Sequence, residues 1–159
     1  MADIVIDGQV RVYFVSAIAN QNAPTTSELN AGVALQDVMT PDGLQNFQPT
    51  TATVDNSALS STFTTSTIGR DSFGDSRLQF KRQSGTDTVW NTLTRGTAGF
   101  IVIRRNVAAG TAWSSSQAIE VYPMICGQTI YVDPAPNEVS KWQLQTPITA
   151  SPSIRAAVA

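Results

Sequence analysis

Short runs of apolar residues, many of them alternating with polar ones, recur along the chain and are separated by Gly, Pro, Asn and Ser. Val10, Val12 and Phe14, for example, fall on one face of an extended segment. Such runs, rich in Val, Ile, Thr, Phe and Trp, predict β-strands. The predicted strands span residues 9–16, 33–40, 50–55, 60–68, 76–83, 98–106, 118–126 and 139–149. Strands this short and numerous indicate a mainly β protein, an antiparallel sandwich or barrel.

A helical turn is predicted between the first two strands. Thr25 and Glu28 stand in the Thr-x-x-Glu order of a capping box, and Gly32 is placed to end the turn in a left-handed conformation. The second strand is predicted to run to Thr40, where Pro41-Asp42-Gly43 predicts a tight turn.

The segment after residue 85 predicts a helix that flanks the sheets. Thr86 or Asp87 can cap its start, and Gly96 can end it. The predicted packing face consists of Val89, Trp90 and Leu93. Burying these three side chains contributes roughly 5–8 kcal/mol before entropy is counted. We therefore expect one flanking α-helix that packs across an open side of the sandwich.

Two later strands are apolar on both faces. The run Phe100-Ile101-Val102-Ile103 has no polar alternation, and the segment from Ile119 to Ile125 is similar. Continuous apolar runs predict strands that are covered on both sides.

The tract of residues 50–74 is unusual because it is rich in Ser and Thr and contains neither Lys nor Pro between Thr50 and Ile68. As a hairpin it would expose uncharged, β-prone edges, which natural monomers usually block. We expect it to contact another copy of the chain; the alternative is a long mobile loop with marginal strands. Its predicted contact residues are Ser57, Ser60, Thr62, Thr64 and Ser66.

Both ends of the chain are predicted to be arms on a single domain of residues 1–159. The N-terminal arm, about residues 1–8, contains the isolated apolar triplet Ile4, Val5 and Ile6. The C-terminal arm, about residues 150–159, consists of small residues with Ile154 and follows Pro147; it is expected to be weakly structured. We expect both arms to contact neighbouring subunits.

Composition favours assembly over an isolated soluble existence. Charged residues make up 14% of the 159 residues, and the formal net charge is −2. Residues 1–60 hold six acids and one base, whereas residues 61–120 hold seven bases and four acids. This polarity suits head-to-tail association, although folding can also intermix the charges in space.

The sequence offers little for catalysis or metal binding. It contains no His, and Cys126 is the single cysteine, inside an apolar run. Histidine-based catalysis and a multi-thiolate metal site are thereby excluded. The stretch Asp71-Ser72-Phe73-Gly74-Asp75 lacks the closing Glu of a calcium loop and reads as a turn. We expect no enzyme activity, no cofactor and no bound metal. No apolar stretch reaches the length of a membrane span, so no membrane contact is expected.

Several segments, in this order, resemble a known family. Residues 10–35, VRVYFVSAIANQNAPTTSELNAGVAL, are followed by TPDG at residues 40–43. Residues 89–105, VWNTLTRGTAGFIVIRR, precede Ala112-Trp113 and IEVYPMICGQ at residues 119–128. This order is similar to the major tail protein, or tail tube subunit, of long-tailed bacteriophages, particularly those of actinobacteria.

The resemblance implies a structural virion protein. Tail tube subunits form hexameric rings that stack head to tail into a conduit for DNA ejection. The resemblance is to those of long, flexible, non-contractile tails of the siphovirus type, although contractile tails use related tubes. The implied partners are further copies of the chain, a tape-measure protein, a tail terminator and a distal tail protein. Assembly is expected in the host cytoplasm. DNA in transit should not be held tightly, so we expect a net acidic or neutral lumen. The predicted lumen acids are Asp37, Asp42 and Asp55.

Two alternatives from other classes stay open at this point. A β-sandwich binding module, such as a capsid decoration protein or a carbohydrate-binding virion protein, would need exposed coplanar aromatic rings. Trp113, Trp142 and Tyr131 would have to share one open face. A hydrolase on a β-scaffold would instead need clustered acids in a cleft.

Overall fold

The computed structural model describes residues 1–159, which form eleven β-strands and two short helices. The strands are β1 Val10–Val15, β2 Val33–Ala34, β3 Met39–Gln45, β4 Pro49–Asp55, β5 Ser66–Phe73, β6 Arg77–Lys81, β7 Ala98–Arg105, β8 Ala118–Ile125, β9 Thr129–Tyr131, β10 Lys141–Gln145 and β11 Ser153–Ala157. The helices are α1 Thr26–Asn30 and α2 Thr88–Thr92. Neither helix has the length or apolarity that crossing a bilayer requires.

The strands form two packed antiparallel sheets and a separate hairpin. The first sheet has the order β11-β8-β7-β1-β2, and the second has the order β3-β6-β10-β9. Strands β4 and β5 pair only with each other. The predicted antiparallel β-sandwich is therefore confirmed.

The main core lies between the two sheets. Phe14 and Ile101 of the first sheet and Phe80 and Trp142 of the second belong to one buried apolar cluster. A smaller cluster, which includes Val102 and Val121, covers the opposite face of the first sheet. Because β7 and β8 supply residues to both clusters, their continuous apolar runs are explained, as predicted.

Helix α1 begins with the predicted capping box. The Thr25 hydroxyl accepts a hydrogen bond from the Glu28 backbone N–H, and the Glu28 carboxylate accepts one from the Thr25 backbone N–H. These bonds satisfy donors that a helix start otherwise leaves unpaired. Gly32 follows the helix, but the left-handed conformation predicted for it is wrong. A Cβ there would lie 2.7 Å from the Phe14 carbonyl oxygen, so close packing against β1 explains the glycine.

Helix α2 is capped by Asp87, whose side chain accepts a hydrogen bond from the Trp90 N–H. Val89 and Leu93 are buried in the main core, and Trp90 packs against that core while partly exposed. The helix is shorter than predicted because the chain turns at Leu93, three residues before Gly96. Gly96 itself adopts a positive φ of 87°.

The predicted turn at Pro41-Asp42-Gly43 is wrong, because these residues lie within β3. The pairing of β3 with β6 shifts register between Met39 and Leu44, so the turn-forming residues make a bulge in an edge strand. Residues 33–40 accordingly split into β2 and the start of β3 instead of forming one strand.

Three further predictions need correction. Residues 60–65 are not strand, since β5 begins at Ser66, and the strand predicted over residues 139–149 is confined to β10. Strand β9 was not predicted. The C-terminal segment, predicted to be weakly structured, contains β11, which pairs with β8 and buries Ala156. The small residues of this segment give only a weak strand signal in the sequence, and the strand depends on its pairing with β8.

Candidate assembly surfaces

The hairpin of β4 and β5 projects from the sandwich. Every residue of both strands is exposed except Phe73, which is partly buried. Phe73 packs edge-on against the Tyr122 ring, with the ring centroids 5.9 Å apart, and so ties the hairpin base to the core. The Ser- and Thr-rich tract is thus an extended two-stranded ribbon.

The two edges of this hairpin differ. Between Thr51 and Thr53 the register shifts, so that two residues of β5, Gly69 and Arg70, face one residue of β4. A Cβ on Gly69 would lie 3.1 Å from the Val54 side chain, which favours glycine at this bulge. A bulge and a charged arginine protect the β5 edge, whereas β4 carries no charge before Asp55. The β4 edge is therefore the less protected one.

The tip of the hairpin, residues 56–65, is a compact loop. The Ser57 hydroxyl accepts a hydrogen bond from the Thr65 N–H at 2.8 Å and donates one to the Thr65 carbonyl. The Ser61 hydroxyl likewise accepts one from the Ala58 N–H. Of the predicted contact residues, Ser57 is half-buried by these bonds. The other predicted contact residues are all exposed: Ser60, Thr62, Thr64 and Ser66.

Two apolar residues at the tip were not singled out from the sequence. Leu59 is fully exposed and Phe63 is 77% exposed. They could have been identified in the sequence as two large apolar residues within a run of Ser and Thr. On the strands, Val54 and Ile68 are also exposed. Together they give the hairpin exposed apolar side chains beside few charged ones, which is typical of a surface that another molecule covers.

A groove of about 460 Å³, which we call the base groove, lies where the hairpin meets the sandwich. It is lined by Pro49 and residues 71–74 of the hairpin and by residues 147–152 and Ile154. Thr149 donates a backbone hydrogen bond to the Pro123 carbonyl, and Ile148 bridges to Met124, so β8 fixes the far wall.

A second groove of about 680 Å³, the side groove, lies beside β1 and β3. Its wall includes Val10, Val12, Met39 and Leu44. Four charged side chains also line it: Asp7, Asp37, Lys81 and Arg105.

The N-terminal arm lies outside all strands and helices. Ile4, Val5 and Ile6 are exposed, and the arm is joined to the sandwich where the Ala109 N–H donates to the Gly8 carbonyl. At the other end of the chain, Ile154 is exposed on β11. Both termini thus present apolar side chains that their own chain does not cover.

The predicted lumen acids lie on three different elements. Asp37 lies between β2 and β3, Asp42 is in β3 and Asp55 ends β4 on the hairpin; all three are exposed. The hydroxyl and backbone N–H of Ser57 lower the pKa of Asp55 below its ordinary value. All three carboxylates are accessible to a partner or to solvent.

The chain forms four ion pairs, and none involves an acid from residues 1–60. The pairs are Arg77–Asp75, Arg82–Asp87, Arg105–Glu120 and Lys141–Glu138. The adjacent residues Arg104 and Arg105 point to opposite faces, as expected on a strand: Arg104 is fully buried and Arg105 is exposed. The six acids of the first sixty residues therefore have no salt-bridge partner within the chain.

The titratable groups do not form a reactive cluster. No group of three or more His, Cys, Asp or Glu side chains is positioned to hold a metal ion. Asp71 accepts a hydrogen bond from Thr51, and Asp75 pairs with Arg77, so the Asp71–Asp75 stretch uses both carboxylates structurally. Burial raises the pKa of the Cys126 thiol to about 11, which leaves it protonated and unreactive.

The aromatic platform required by a carbohydrate-binding module is missing. Trp142 is fully buried in the main core, and Trp113 is buried on the opposite face of the first sheet. Tyr131 is exposed and stacks on Trp90 at a centroid distance of 5.4 Å. The three rings do not share an open face.

Comparison with known proteins agrees with this architecture. The sequence matches the family described as Phage tail tube protein over residues 1–159. No curated protein matches the sequence. Among solved structures, the fold is similar to a chain in the cryo-EM structure of the anti-feeding prophage (AFP) baseplate, 6-fold symmetrised. The TM-score is 0.62 over 94% of this chain and 95% of that chain, and the sequence identity is 9%. The family resemblance seen in the sequence is confirmed: the chain belongs to the phage tail tube protein family.

Proposed function

We propose that this protein polymerises as stacked hexameric rings into a tail tube through which DNA passes during ejection. Membership of the tail tube family establishes a structural tail protein. A similar chain belongs to a baseplate described as 6-fold symmetrised, which supports rings of six. The observation that carries the proposal is the projecting hairpin, an exposed, nearly uncharged β-ribbon that only a partner would cover.

Ring closure and ring stacking would cover different parts of the exposed surface of the subunit. Closure around an axis joins the sheets of neighbouring subunits into a continuous inner barrel and removes their exposed edges. The β4 edge, the less protected of the two, is suited to such pairing. Stacking is head to tail and open, so the tube can grow by the addition of further rings. We assign the ring-to-ring contacts to the hairpin and to four arm residues: Ile4, Val5, Ile6 and Ile154.

Charge complementarity supports head-to-tail association. The acids of residues 1–60 have no salt-bridge partner within the chain, and neither do the exposed bases Arg70, Arg95 and Arg155. Opposite charges left free on one subunit can pair between copies, which favours one orientation of association. Tube formation should accordingly weaken as salt screens these charges.

The hairpin tip provides the direct test. Asp55 and Ser66 are paired across the hairpin, so residues 56–65 can be replaced by Asn-Gly, a two-residue turn that suits paired strands. We expect the variant to stay folded and monomeric by circular dichroism and light scattering but to form no tubes in electron micrographs. A full-length control with Ser84→Ala, an exposed residue outside the hairpin, the arms and both grooves, should form tubes. Tubes from the shortened variant would contradict the hairpin assignment.

We further propose that the lumen is net acidic or neutral, with Asp37, Asp42 and Asp55 contributing to it. DNA then passes without being held, because each neutralised phosphate adds affinity that multiplies along the stack. Replacing all three with Lys should make tubes retain double-stranded DNA in a gel-shift assay at low salt, whereas wild-type tubes should not. A cryo-EM reconstruction with a continuous Arg/Lys lining would contradict this proposal.

The remaining partners follow from the same assignment. An open stack needs other proteins to set its length and its ends, and we propose a tape-measure protein, a tail terminator and a distal tail protein. Assembly in the host cytoplasm suits the buried, protonated Cys126. We expect the tail to be long, flexible and non-contractile and its host to be actinobacterial. A sheath around tubes carrying this chain would contradict the non-contractile assignment.

A further inference from the structure

We propose that the hairpin tip of one subunit inserts Leu59 and Phe63 into the base groove of a second copy. This inference rests on the proposed tube and names the receptor for its stacking contact. Two observations call for a partner: an apolar tip that nothing in its own chain covers, and a preformed groove at the opposite end of the same hairpin.

The tip is organised for insertion. Hydrogen bonds between Ser57 and Thr65, and between Ser61 and Ala58, fold residues 56–65 into a defined shape before any partner arrives. Ordering a loop in advance reduces the entropy lost on binding. Large apolar side chains presented on such a loop are suited to anchor a contact in a pocket.

The base groove is suited to receive apolar side chains. Phe73, Ile148 and Ile154 line it, and Pro147 and Pro152 lack the backbone N–H that an apolar guest would leave unpaired. Its volume of about 460 Å³ lies within the range of pockets that enclose small organic groups.

Charge selects this groove over the side groove. The tip, residues 56–65, contains no charged residue. Asp71 is the one charged residue lining the base groove, whereas four charged side chains line the side groove. If an uncharged apolar loop covered charged side chains, they would lose their hydration without gaining hydrogen bonds or ion pairs in return, which costs free energy. The uncharged tip therefore favours the base groove.

The hairpin is too extended for the tip to reach the groove of its own chain. The seven residues of β4, at about 3.3 Å each, separate tip and base by roughly 23 Å. Contact must therefore come from another copy. A tip-to-base contact joins two different surfaces, so it can propagate into an open stack when its rotation does not close into a ring.

Disulfide trapping tests the contact. The doubly substituted chain Leu59→Cys/Ala150→Cys places one thiol on the tip and one in the base groove, while native Cys126 is buried with its pKa raised to about 11. After tube assembly and mild oxidation, we expect a ladder of cross-linked chains on a non-reducing gel. The matched control is Leu59→Cys/Ala109→Cys, whose second thiol lies in the side groove. After the same assembly and oxidation, its chains should run on the gel without cross-links.

A second pair, Phe63→Cys/Ser151→Cys, keeps the test valid if the first substitutions prevent assembly. Tubes without a ladder from either base-groove pair, or a ladder from the side-groove control, would overturn the groove assignment and leave the tube intact. A wild-type chain that forms no tubes would instead overturn the proposed function and this inference together.

Discussion

Two charged side chains, Asp87 and Arg104, lie inside the protein and are stabilised in different ways. Asp87 caps α2 and pairs with Arg82 at 2.6 Å. Arg104 has no carboxylate partner; it donates to the carbonyls of Ala108, Thr111 and Ala112 and to the Gln117 side chain, and it lies over the Trp113 ring. It thereby fixes the loop after β7 over the outer face of the first sheet. Burying the guanidinium costs free energy, and these hydrogen bonds offset part of that cost.

Asp87→Asn should lower the free energy of unfolding by about 1–2 kcal/mol at pH 7, because a charge-assisted bond to Arg82 is lost. Burial raises the pKa of Asp87, but the N–H groups of Gln83 and Trp90 and the Arg82 guanidinium lower it by more. The pKa therefore lies below its ordinary value of 3.8, and the stabilisation is complete above that value. Urea unfolding should show the difference between wild type and variant shrinking as the pH falls from about 4 to 2. A difference independent of pH would contradict this role.

At the scale of elements, local signals were predicted well and distant pairings were not. The Thr25–Glu28 capping box, the Asp87 cap and strands β1, β7 and β8 follow from residues close in sequence. The bulge at Pro41 and Gly43 was read as a turn, because turn residues also serve edge bulges. The sequence does not indicate strand β11, because Ser153–Ala157 has small residues and no clear apolar alternation, so the strand depends on its pairing with β8.

The candidate assembly surfaces were likewise predictable from the sequence only in part. The exposed hairpin was predictable from the absence of Lys and Pro between Thr50 and Ile68, and the structure shows it as a projecting ribbon. The base groove was not predictable, because it forms only when residues 71–74 meet residues 147–152 in the folded chain. Leu59 and Phe63 are visible in the sequence, but their meaning depends on their position at the tip.

Trp90 is expected to anchor helix α2 to the core. Trp90 packs edge-on against Trp142 at 5.1 Å and lies beneath the Arg82 guanidinium at 4.4 Å. Trp90→Ala should therefore lower the free energy of unfolding by about 2–4 kcal/mol in urea titrations. The control Tyr131→Ala, which removes an exposed ring from the same stack, should cost less than about 1 kcal/mol. Equal losses would show that Trp90 does not tie the helix to the core.

At the scale of the whole molecule, the sandwich is complete within one chain while its projecting parts are not. The core between the sheets is buried, yet the hairpin strands pair only with each other, the N-terminal triplet is exposed, and the acids of residues 1–60 have no salt-bridge partner in the same chain. A chain that can fold alone but leaves these surfaces free is suited to repeated assembly with its own copies. This division matches the structural role of the tail tube family.

The most direct measurement is electron microscopy of the purified wild-type chain across a concentration series. We expect six-fold rings at low concentration and hollow tubes of uniform diameter at high concentration, formed without any other protein. Closed trimers that stop growing would contradict it and indicate a decoration protein, and a chain that stays monomeric at every concentration would contradict self-assembly of the tube.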